Sequence, residues 1–238
     1  MSSPYGLEIV DHCQACPWKT GDFFCQMSAK ALHDFEEVKY TSSYPAGAML
    51  FVEGQVPRGA YLLCKGRVKL TMTSSDGKAI ILHIAEAGEL IGLNSALSGM
   101  AYELSAETLE PCQVNFVKRE ALARLVHEYP EIAENVTKQV SRDYQAACFQ
   151  IRSLGLSRSA SEKIVRFLLS AAIKGKETPQ GVRMNVALTH EEIAQIVGVS
   201  RETVTRTLSD LKHKSFISVK GPTVVLRDKT ALEAMVQA

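Results

Sequence analysis

The sequence lacks the marks of a membrane or exported protein. None of its 238 residues belongs to an uninterrupted apolar run of the ~18 residues that a membrane-spanning helix needs. The opening residues, MSSPYGLEIVD, contain neither a basic stretch nor an apolar run, so they do not resemble a signal peptide. With 46% apolar and 22% charged residues, the composition is typical of a soluble globular protein. We therefore expect a cytoplasmic protein.

The sequence also lacks the arrangements that hydrolytic and transfer enzymes use. Its six histidines are dispersed along the chain, and no Ser/His/Asp or paired-carboxylate pattern is visible. We predict that the protein is not an enzyme.

A large net charge is missing too, but the small total hides an asymmetry. The formal net charge is only +1. Residues 1–156 hold 14 Lys and Arg against 18 Asp and Glu, whereas residues 157–238 hold 13 against 8. The C-terminal part is therefore positive, as is expected of a surface that docks on a polyanion such as DNA.

Short apolar runs separated by Gly, Pro and Asp-Gly fill residues 40–116. Asp76-Gly77, between KLTMT and AIILHI, predicts a β-hairpin. Strand signals that recur about every ten residues are typical of a jelly-roll-like barrel. We predict an α+β chain in which residues 1–30 form an N-terminal arm and residues 31–128 form a β-roll.

Residues 131–156 predict one helix of about seven turns, because an apolar stripe recurs there at helical spacing without a proline. Intervals of four and three residues are typical of a short parallel coiled coil, so we predict that residues 129–156 form a homodimer interface. Its residues are Val136, Val140, Tyr144, Ala147, Ile151 and Leu154. The alternative is a helix packed on the core of its own domain. Asp143, at the edge of the stripe, either faces its own copy or pairs with Arg142 or water.

The segment ALTHEEIAQIVGVSRETVTRTLSDLKHKSF predicts a helix-turn-helix. Thr189 and Glu192 have the spacing of a capping box, Gly198 permits a tight turn, and Ser200 can cap the second helix. Apolar side chains anchor that helix on one face, and its polar face carries Arg201, Glu202, Thr205 and Arg206. FISVKGPTVVLRD then predicts a hairpin wing, so residues 157–238 should form a winged helix-turn-helix domain.

Three of the six cysteines lie close together, with the spacing C-x2-C-x8-C: Cys13, Cys16 and Cys25. Because a cytoplasmic chain has little use for disulfides, we interpret them as a metal or redox site. A fourth thiolate from elsewhere in the fold would complete a set able to hold zinc or an iron–sulfur cluster. We expect Cys64 to be a core thiol without chemistry and Cys148 to be a packing residue.

A β-roll, a long dimerisation helix and a winged helix-turn-helix in this order resemble the CRP/FNR family of transcription regulators over essentially the whole chain. The resemblance implies a homodimer that binds two-fold sites in double-stranded DNA and works with RNA polymerase. Members of this family respond to cyclic nucleotides, haem ligands, small metabolites or, in the FNR branch, oxygen through a [4Fe-4S] cluster held by four cysteines.

The resemblance to the FNR branch implies a ligand set for such a cluster. Cys13, Cys16 and Cys25 correspond to the three N-terminal ligands, and Cys112 stands where the last cysteine of the branch lies, on the strand that leads to the dimerisation helix. The gap between Cys16 and Cys25 is x8 where the FNR pattern has x5, which lengthens the loop at a small entropic cost. Zinc, a thiol redox switch and uncoordinated cysteines remain alternatives.

The cyclic-nucleotide branch fits the sequence less well. Alignment to its phosphate-binding motif puts Leu93 at the Glu position and Tyr102 at the Arg position. A cyclic phosphate without a cation in a partly buried pocket would be poorly compensated. We therefore do not expect a cyclic nucleotide as the ligand.

The second helix of the predicted helix-turn-helix combines two family patterns, R-E-x-x-x-R and E-x-x-S-R. Arg201, Glu202 and Arg206 are present, and Thr205 replaces the serine. The resemblance therefore implies a DNA half-site with a TGA core. The competing function is a metabolite-binding or redox-buffering protein without a regulated DNA site, and the base-reading face argues against it.

Overall fold

The computed structural model describes residues 4–17 and 24–237. The chain divides into two compact units, one within residues 1–147 and one within residues 148–238. This division falls inside the long helix, whereas the four segments proposed from the sequence separate the arm, the roll, that helix and the C-terminal domain. None of the described helices is long and apolar enough to cross a membrane.

The described residues of the first unit form eight strands and three helices, followed by most of the long helix. In chain order its elements are a 3-10 turn (Pro4–Gly6), α1 (Ala29–Val38), β1 (Lys39–Tyr44), β2 (Met49–Phe51), β3 (Gly59–Lys65), β4 (Val68–Thr73), β5 (Ala79–Ala85), β6 (Leu90–Ile91), α2 (Leu93–Ser98), β7 (Ser105–Thr108), β8 (Cys112–Lys118), α3 (Arg119–Glu128) and α4 (Pro130–Leu156). The helix predicted for residues 131–156 is confirmed with one extra residue at its start.

The strands form two four-stranded antiparallel sheets with the orders β1-β8-β3-β6 and β2-β7-β4-β5. The predicted hairpin is the β4–β5 pair, which turns through Asp76-Gly77. Gly77 has a φ of +82°, a conformation that glycine adopts at no steric cost. The predicted β-roll is therefore confirmed.

Two apolar clusters occupy opposite faces of the β1-β8-β3-β6 sheet. The roll interior, between the two sheets, contains Leu50, Phe51, Leu63, Val68, Ala85, Ile91, Tyr102, Ala106, Cys112 and Val114. The helix-side cluster joins the outer face of that sheet to α1, α3, α4 and the arm, through residues that include Cys13, Cys25, Phe35, Leu62, Val117 and Ile132. Because side chains alternate along a strand, neighbours such as Leu62 and Leu63 on β3 belong to different clusters.

As far as residue 237, the second unit consists of the end of α4, four further helices and a four-stranded sheet. Its elements are α5 (Ala160–Ala172), β9 (Lys176–Thr178), β10 (Gly181–Asn185), α6 (His190–Val197), α7 (Arg201–His213), β11 (Ile217–Lys220), β12 (Thr223–Leu226) and α8 (Lys229–Gln237), with the sheet order β11-β12-β10-β9. The Ser159 hydroxyl accepts a hydrogen bond from the Glu162 amide and so caps α5. The strands β9 and β10 lie between α5 and α6, in a stretch for which the sequence analysis names no strand.

Candidate functional site

The helix-turn-helix of the second unit is built from local capping interactions. The Glu192 amide donates to the Thr189 hydroxyl (3.1 Å), and the Thr189 amide donates to the Glu192 carboxylate (2.6 Å), which is the predicted capping box of α6. Gly198 ends α6 with a φ of +67°, and its amide donates to the Ala194 carbonyl (2.8 Å). The predicted turn is confirmed.

The second helix of the motif, α7, separates a buried face from an exposed one. The Ser200 hydroxyl caps α7 by accepting from the Thr203 amide (3.2 Å). The inward side chains Val204, Leu208 and Leu211 are buried, as their spacing predicted. The outward side chains are exposed and border one surface groove: Arg201, Glu202, Thr205 and Arg206. Hydrogen bonding to its own backbone amide in the first turn of α7 lowers the pKa of Glu202 below its usual range.

One residue that sequence reasoning missed touches this exposed face. The Thr205 hydroxyl donates to the Arg201 carbonyl (3.0 Å) and lies 2.8 Å from Nδ1 of His190, at the start of α6. Since the single hydroxyl proton is used by Arg201, Nδ1–H of His190 donates to Thr205. His190 therefore orients the hydroxyl that replaces the family serine. The sequence holds no local signal for a contact across the turn between two helices.

The wing next to α7 in sequence is the β11–β12 hairpin. Lys220 pairs with Thr223, so the chain turns through Gly221 and Pro222 as predicted. Lys220 is exposed. The basic C-terminal unit therefore presents one capped helix and one hairpin with side chains free to meet a polyanion.

In the first unit, four cysteines line a single pocket between the arm and the outer face of the roll. They are Cys13, Cys16, Cys25 and Cys64, together with Val10, Leu62, Leu63, Gln113 and Asn115. Cys13 and Cys25 are buried, and Cys16 and Cys64 are half-buried. The three arm cysteines singled out from their spacing are thus brought together. Cys64, which the sequence suggested was an inert core thiol, lines the same pocket.

Hydrogen bonds to two elements, β8 and α1, hold the arm at this pocket. The backbone of Val10 both donates to and accepts from the Gln113 side chain of β8 (3.0 and 2.7 Å). The Cys13 amide donates to the Glu36 carboxylate of α1 (3.1 Å). The Asn115 amide of β8 donates to Sγ of Cys13 (3.7 Å). The position of Cys13 therefore depends on residues about 20 and 100 positions away in sequence.

Cys112 lies elsewhere. Its side chain is fully buried in the roll interior, where the thiol donates to the Glu110 and Arg67 carbonyls (3.1 and 3.4 Å). Gln113 and Asn115 face the cysteine pocket, so Cys112 and Val114 point to the opposite face of β8. The structure does not bring Cys112 together with the other three predicted ligands.

The chemistry of the pocket suits a soft metal. Burial, and then the neighbouring thiols, raise the pKa of Cys64 well above its usual range, and the charge of Lys39 offsets only part of that rise. Burial also raises the pKa of Cys112, to about 11. A bound metal cation would stabilise the thiolate form of the clustered cysteines and so lower the pKa of their thiols. Within residues 4–17 and 24–237, no three His, Cys, Asp or Glu side chains already stand at metal-holding distances, so the thiols would have to converge on an ion.

A residue of α4 ties the arm to the long helix on both sides of Cys25. Nδ2 of Asn135 donates to the Phe24 carbonyl (3.1 Å) and to the Gln26 carbonyl (2.9 Å). Phe24 also packs against Phe35 of α1, with ring centroids 6.0 Å apart. The cysteine pocket is therefore connected to α4 by direct hydrogen bonds, a contact that the sequence alone did not indicate.

The predicted interface residues of α4 differ in their surroundings. Val136 is buried in the helix-side cluster, and Leu154 is half-buried with Cδ2 close to Gly198. Val140, Tyr144 and Ile151 are exposed by 37%, 71% and 70%. Half-buried Ala147 completes the set. Two of the six residues therefore pack within their own unit, while three large apolar side chains are left uncovered in the single chain.

A larger cavity of about 390 Å³ lies in the first unit beside residues 139–147 of α4. Leu93 and Tyr102, at the positions of the nucleotide-binding Glu and Arg, both line it, and the Tyr102 hydroxyl donates to the Gly59 carbonyl (2.7 Å). Among the described lining residues, His83 is the only one able to carry a positive charge. It pairs with Glu89 (2.7 Å), while Asp143 accepts from Gln139 (2.7 Å). The cavity therefore offers an anionic ligand little compensation.

Comparisons with known protein families match both units. Residues 41–129 match the cyclic nucleotide-binding domain family, and residues 162–235 match the Crp-like helix-turn-helix domain family. The chain is 28% identical over 190 residues to a CRP-like cAMP-activated global transcriptional regulator of Mycobacterium tuberculosis, covering 79% of this chain and 84% of that protein. It is 26% identical over 231 residues to the nitrogen fixation regulation protein FixK of Bradyrhizobium diazoefficiens, covering 95% and 94%.

Solved structures share the fold. FixK2 from Bradyrhizobium japonicum superposes with a TM-score of 0.73 at 24% identity, covering 84% of this chain and 98% of that chain. A CooA variant from Carboxydothermus hydrogenoformans superposes with a TM-score of 0.75 at 23% identity, covering 89% and 91%. The relatives and domains indicate a regulator and not an enzyme. The capped helix α7 with its exposed polar face, the β-roll and these matches together identify the chain as a DNA-binding transcription regulator of the CRP/FNR family.

Proposed function

We propose that the protein is a homodimeric regulator in the cytoplasm whose DNA binding responds to oxygen or redox state through a metal site on its N-terminal cysteines. The supporting observation is the pair of hydrogen bonds from Asn135 of α4 to the carbonyls on either side of Cys25. Any change in how Cys25 is held reaches α4 directly.

The proposed dimer forms along α4. Val140, Tyr144 and Ile151 follow one another at intervals of four and seven residues and are exposed, so a second copy would remove them from water. Replacing Ile151 by Glu should then yield monomers in analytical ultracentrifugation. A variant that stays dimeric would place the interface elsewhere.

Two copies of α7 are proposed to read a two-fold DNA site with half-sites about one helical turn apart. Arg206 and Arg201 are suited to bidentate bonds with guanine, and Glu202 can accept from a cytosine amino group. This agrees with a TGA half-site core. RNA polymerase is the proposed further partner of the DNA-bound dimer.

The proposed sensor is a [4Fe-4S] cluster, with Cys13, Cys16 and Cys25 as three of its ligands. When bound, such a cluster supplies oxidant-sensitive redox chemistry at the thiolates. The residues of the chain transmit the state of the cluster: the three arm cysteines fix the position of the arm, and Asn135 joins the arm to α4. Release of the cysteines would free this contact, an order-to-disorder change that can shift a marginal dimer.

A specific observation favours zinc as a second candidate occupant. The cavity between the four thiols measures about 20 Å³, which is room for about one water-sized body. Zinc bound by four thiolates is a closed, structural kind of site, whose loss of metal on thiol oxidation would also report redox state.

The test is to purify the full chain without oxygen and to measure iron, sulfide and zinc per chain. The protein is then exposed to air while its absorption spectrum, sedimentation and DNA binding are followed. About four irons and four sulfides per chain, with DNA binding that changes in air, support the cluster. Stoichiometric zinc supports the second candidate. Protein that binds neither metal, or whose dimerisation and DNA binding ignore metal removal, contradicts the proposed sensing.

A further inference from the structure

We infer that Cys64 of β3, and not Cys112 of β8, is the fourth thiolate of the metal site formed by Cys13, Cys16 and Cys25. The inference rests on the proposed function, because it requires that the arm cysteines bind a metal. It differs from the ligand set that family resemblance implies. The shared chemistry is a thiophilic metal centre, either an iron–sulfur cluster or a zinc ion.

The first support is the position of Cys64 on β3. Cys64 packs against the helix-side cluster, which contains Cys13 and Cys25. All four cysteines line the same small cavity. The β3–β8 pairing shifts between Leu63 and Lys65, so Cys64 lies at an irregularity of the ladder. Cys64 still lies on the same side of β3 as Leu62, two residues earlier, so the strand turns both side chains toward the helix-side cluster.

The second support is the orientation of Cys112. A Cβ placed on Gly66 would come within 2.5 Å of Sγ of Cys112, so this thiol is enclosed by backbone within the roll interior. To turn Cys112 toward the arm, β8 would have to slip by one residue. That slip would move every β8 side chain to the other face. Gln113 and Asn115 would then lose their bonds to Val10 and Cys13.

The third support is the composition of the pocket wall. Apart from the four thiols, the described lining residues are apolar or carry amides: Val10, Leu62, Leu63, Gln113 and Asn115. Amide N–H groups that point at sulfur stabilise metal-bound thiolates, and Asn115 already donates to Sγ of Cys13. On metal binding each ligating thiol forms a sulfur–metal bond and releases its proton to solvent.

The experiment compares the full chain with Cys64→Ser, Cys112→Ser and Cys148→Ser, all purified without oxygen. Cys148 is exposed and outside the pocket, so its variant is the matched control. Iron, sulfide and zinc are measured per chain, and metal-free protein is titrated with cobalt(II). The cobalt–thiolate charge-transfer absorption scales with the number of sulfur ligands.

Cys64→Ser should bind metal more weakly than the unaltered protein. The loss of affinity should exceed the roughly 10–100-fold that is typical when a residue supporting a metal ligand is replaced. Its cobalt spectrum should drop from four thiolates to three. Cys112→Ser and Cys148→Ser should keep the metal content and spectrum of the unaltered protein. The spectrum counts ligands even if a variant is less stable, so reduced folding does not mask the result.

The opposite pattern, with metal lost in Cys112→Ser and kept in Cys64→Ser, overturns the inference and leaves the proposed function intact. Unchanged metal in both variants overturns it as well. If the unaltered chain binds neither iron, zinc nor cobalt, the proposed sensing itself is contradicted.

Discussion

The two proposed functional regions of this protein are built in opposite ways. The proposed DNA-reading face comes from one continuous stretch, residues 189–206, and its outward side chains are exposed. The cysteine pocket comes from three separate segments, and two of its thiols belong to an apolar core. A side chain that faces water can be exchanged without disturbing the fold, whereas a ligand inside a core cannot.

This difference separates two kinds of control. Substitutions on α7 should alter which DNA is bound while leaving stability alone. Substitutions around the cysteine pocket should alter stability and metal binding together, because coordination free energy adds directly to the folding of the arm. Variants of both regions, and of the helix between them, can test this separation.

The largest expected effect is on stability, from Phe35→Ala. Phe35 is fully buried in the helix-side cluster and packs against Phe24, next to Cys25. Removing the ring should lower the free energy of unfolding by about 3–5 kcal/mol. Denaturant unfolding can be followed by fluorescence of Trp18, which lies between Cys16 and Cys25 in sequence.

The matched control is Phe149→Ala, since Phe149 is 47% exposed. Its effect should stay within about 0.5 kcal/mol. Equal losses for both phenylalanines would show that burial in the helix-side cluster does not determine the cost of removing the ring.

Arg206→Ala should change DNA discrimination without changing stability. Loss of one bidentate base contact should cost about 1–3 kcal/mol of preference for the specific site. Fluorescence anisotropy with specific and scrambled duplexes, at several salt concentrations, measures this preference. In the control Lys220→Ala, binding should weaken equally on both duplexes, with a salt slope smaller by about 1. A variant without Arg206 that keeps its preference would show that α7 does not read bases.

Asn135→Asp should weaken the link between the cysteine pocket and α4. Aspartate has nearly the same shape but cannot donate to the Phe24 and Gln26 carbonyls. We expect a loss of about 1–2 kcal/mol in unfolding free energy, since each net hydrogen bond contributes about 0.5–1.5 kcal/mol. Hydrogen exchange of amides 24–27 should become faster, and removing metal should no longer change dimerisation. Unchanged exchange in that segment would contradict the proposed route.

The smallest expected effect is a pH dependence at Asp143. Burial raises the pKa of this carboxyl above its ordinary value of 3.8, and the Gln139 hydrogen bond offsets only part of the rise. Because its pKa is raised in the folded state, Asp143 favours the folded state when it is protonated. This contribution to stability is fully present below the unfolded-state pKa and is lost as the pH rises through the folded-state pKa. Asp143→Asn should therefore match the unaltered protein at low pH and be more stable than it at neutral pH.

His83 has to be measured beside Asp143, because the charge of each side chain acts on the pKa of the other. Burial alone would lower its pKa, but the hydrogen bond and the charge of Glu89 outweigh burial and raise it above 6.5. Its contribution to stability is full below 6.5 and is lost at higher pH, in a separate window. The stability of Asp143→Asn and of His83→Gln is compared with that of the unaltered protein by thermal unfolding between pH 3 and pH 9. Measurements about one pH unit apart separate the two pH ranges, since a shift of one pKa unit corresponds to about 1.4 kcal/mol. A stability difference for Asp143→Asn that does not vary with pH would show that the Asp143 pKa is not raised on folding.

Local sequence signals predicted the second unit well for a definite reason. Thr189, Glu192, Gly198 and Ser200 act on residues within four positions of themselves, and such contacts form whatever the rest of the chain does. The contact of His190 with Thr205 was missed, because it crosses between two helices.

The first unit was predicted less completely. Alternating apolar runs and Asp76-Gly77 sufficed for the strands and the β4–β5 hairpin. The placement of Cys64 and Cys112 depended on the pairing of β3 with β8 and on which sheet face meets the arm. A strand reverses its side chains with each residue, so one position of register decides whether a thiol joins the pocket.

By itself the sequence determined the periodic and capped elements: the β-roll strands, the continuous helix α4, and the exposed polar face of α7. Tertiary structure alone decided which cysteines share a pocket, that Asn135 joins the arm to α4, and that Val136 and Leu154 are covered within their own units. The physical reason is the distance along the chain between the residues that interact. Caps and periodicity depend on neighbours within about one helical turn or two strand residues, whereas the meeting of distant side chains depends on register and packing of the whole sheet.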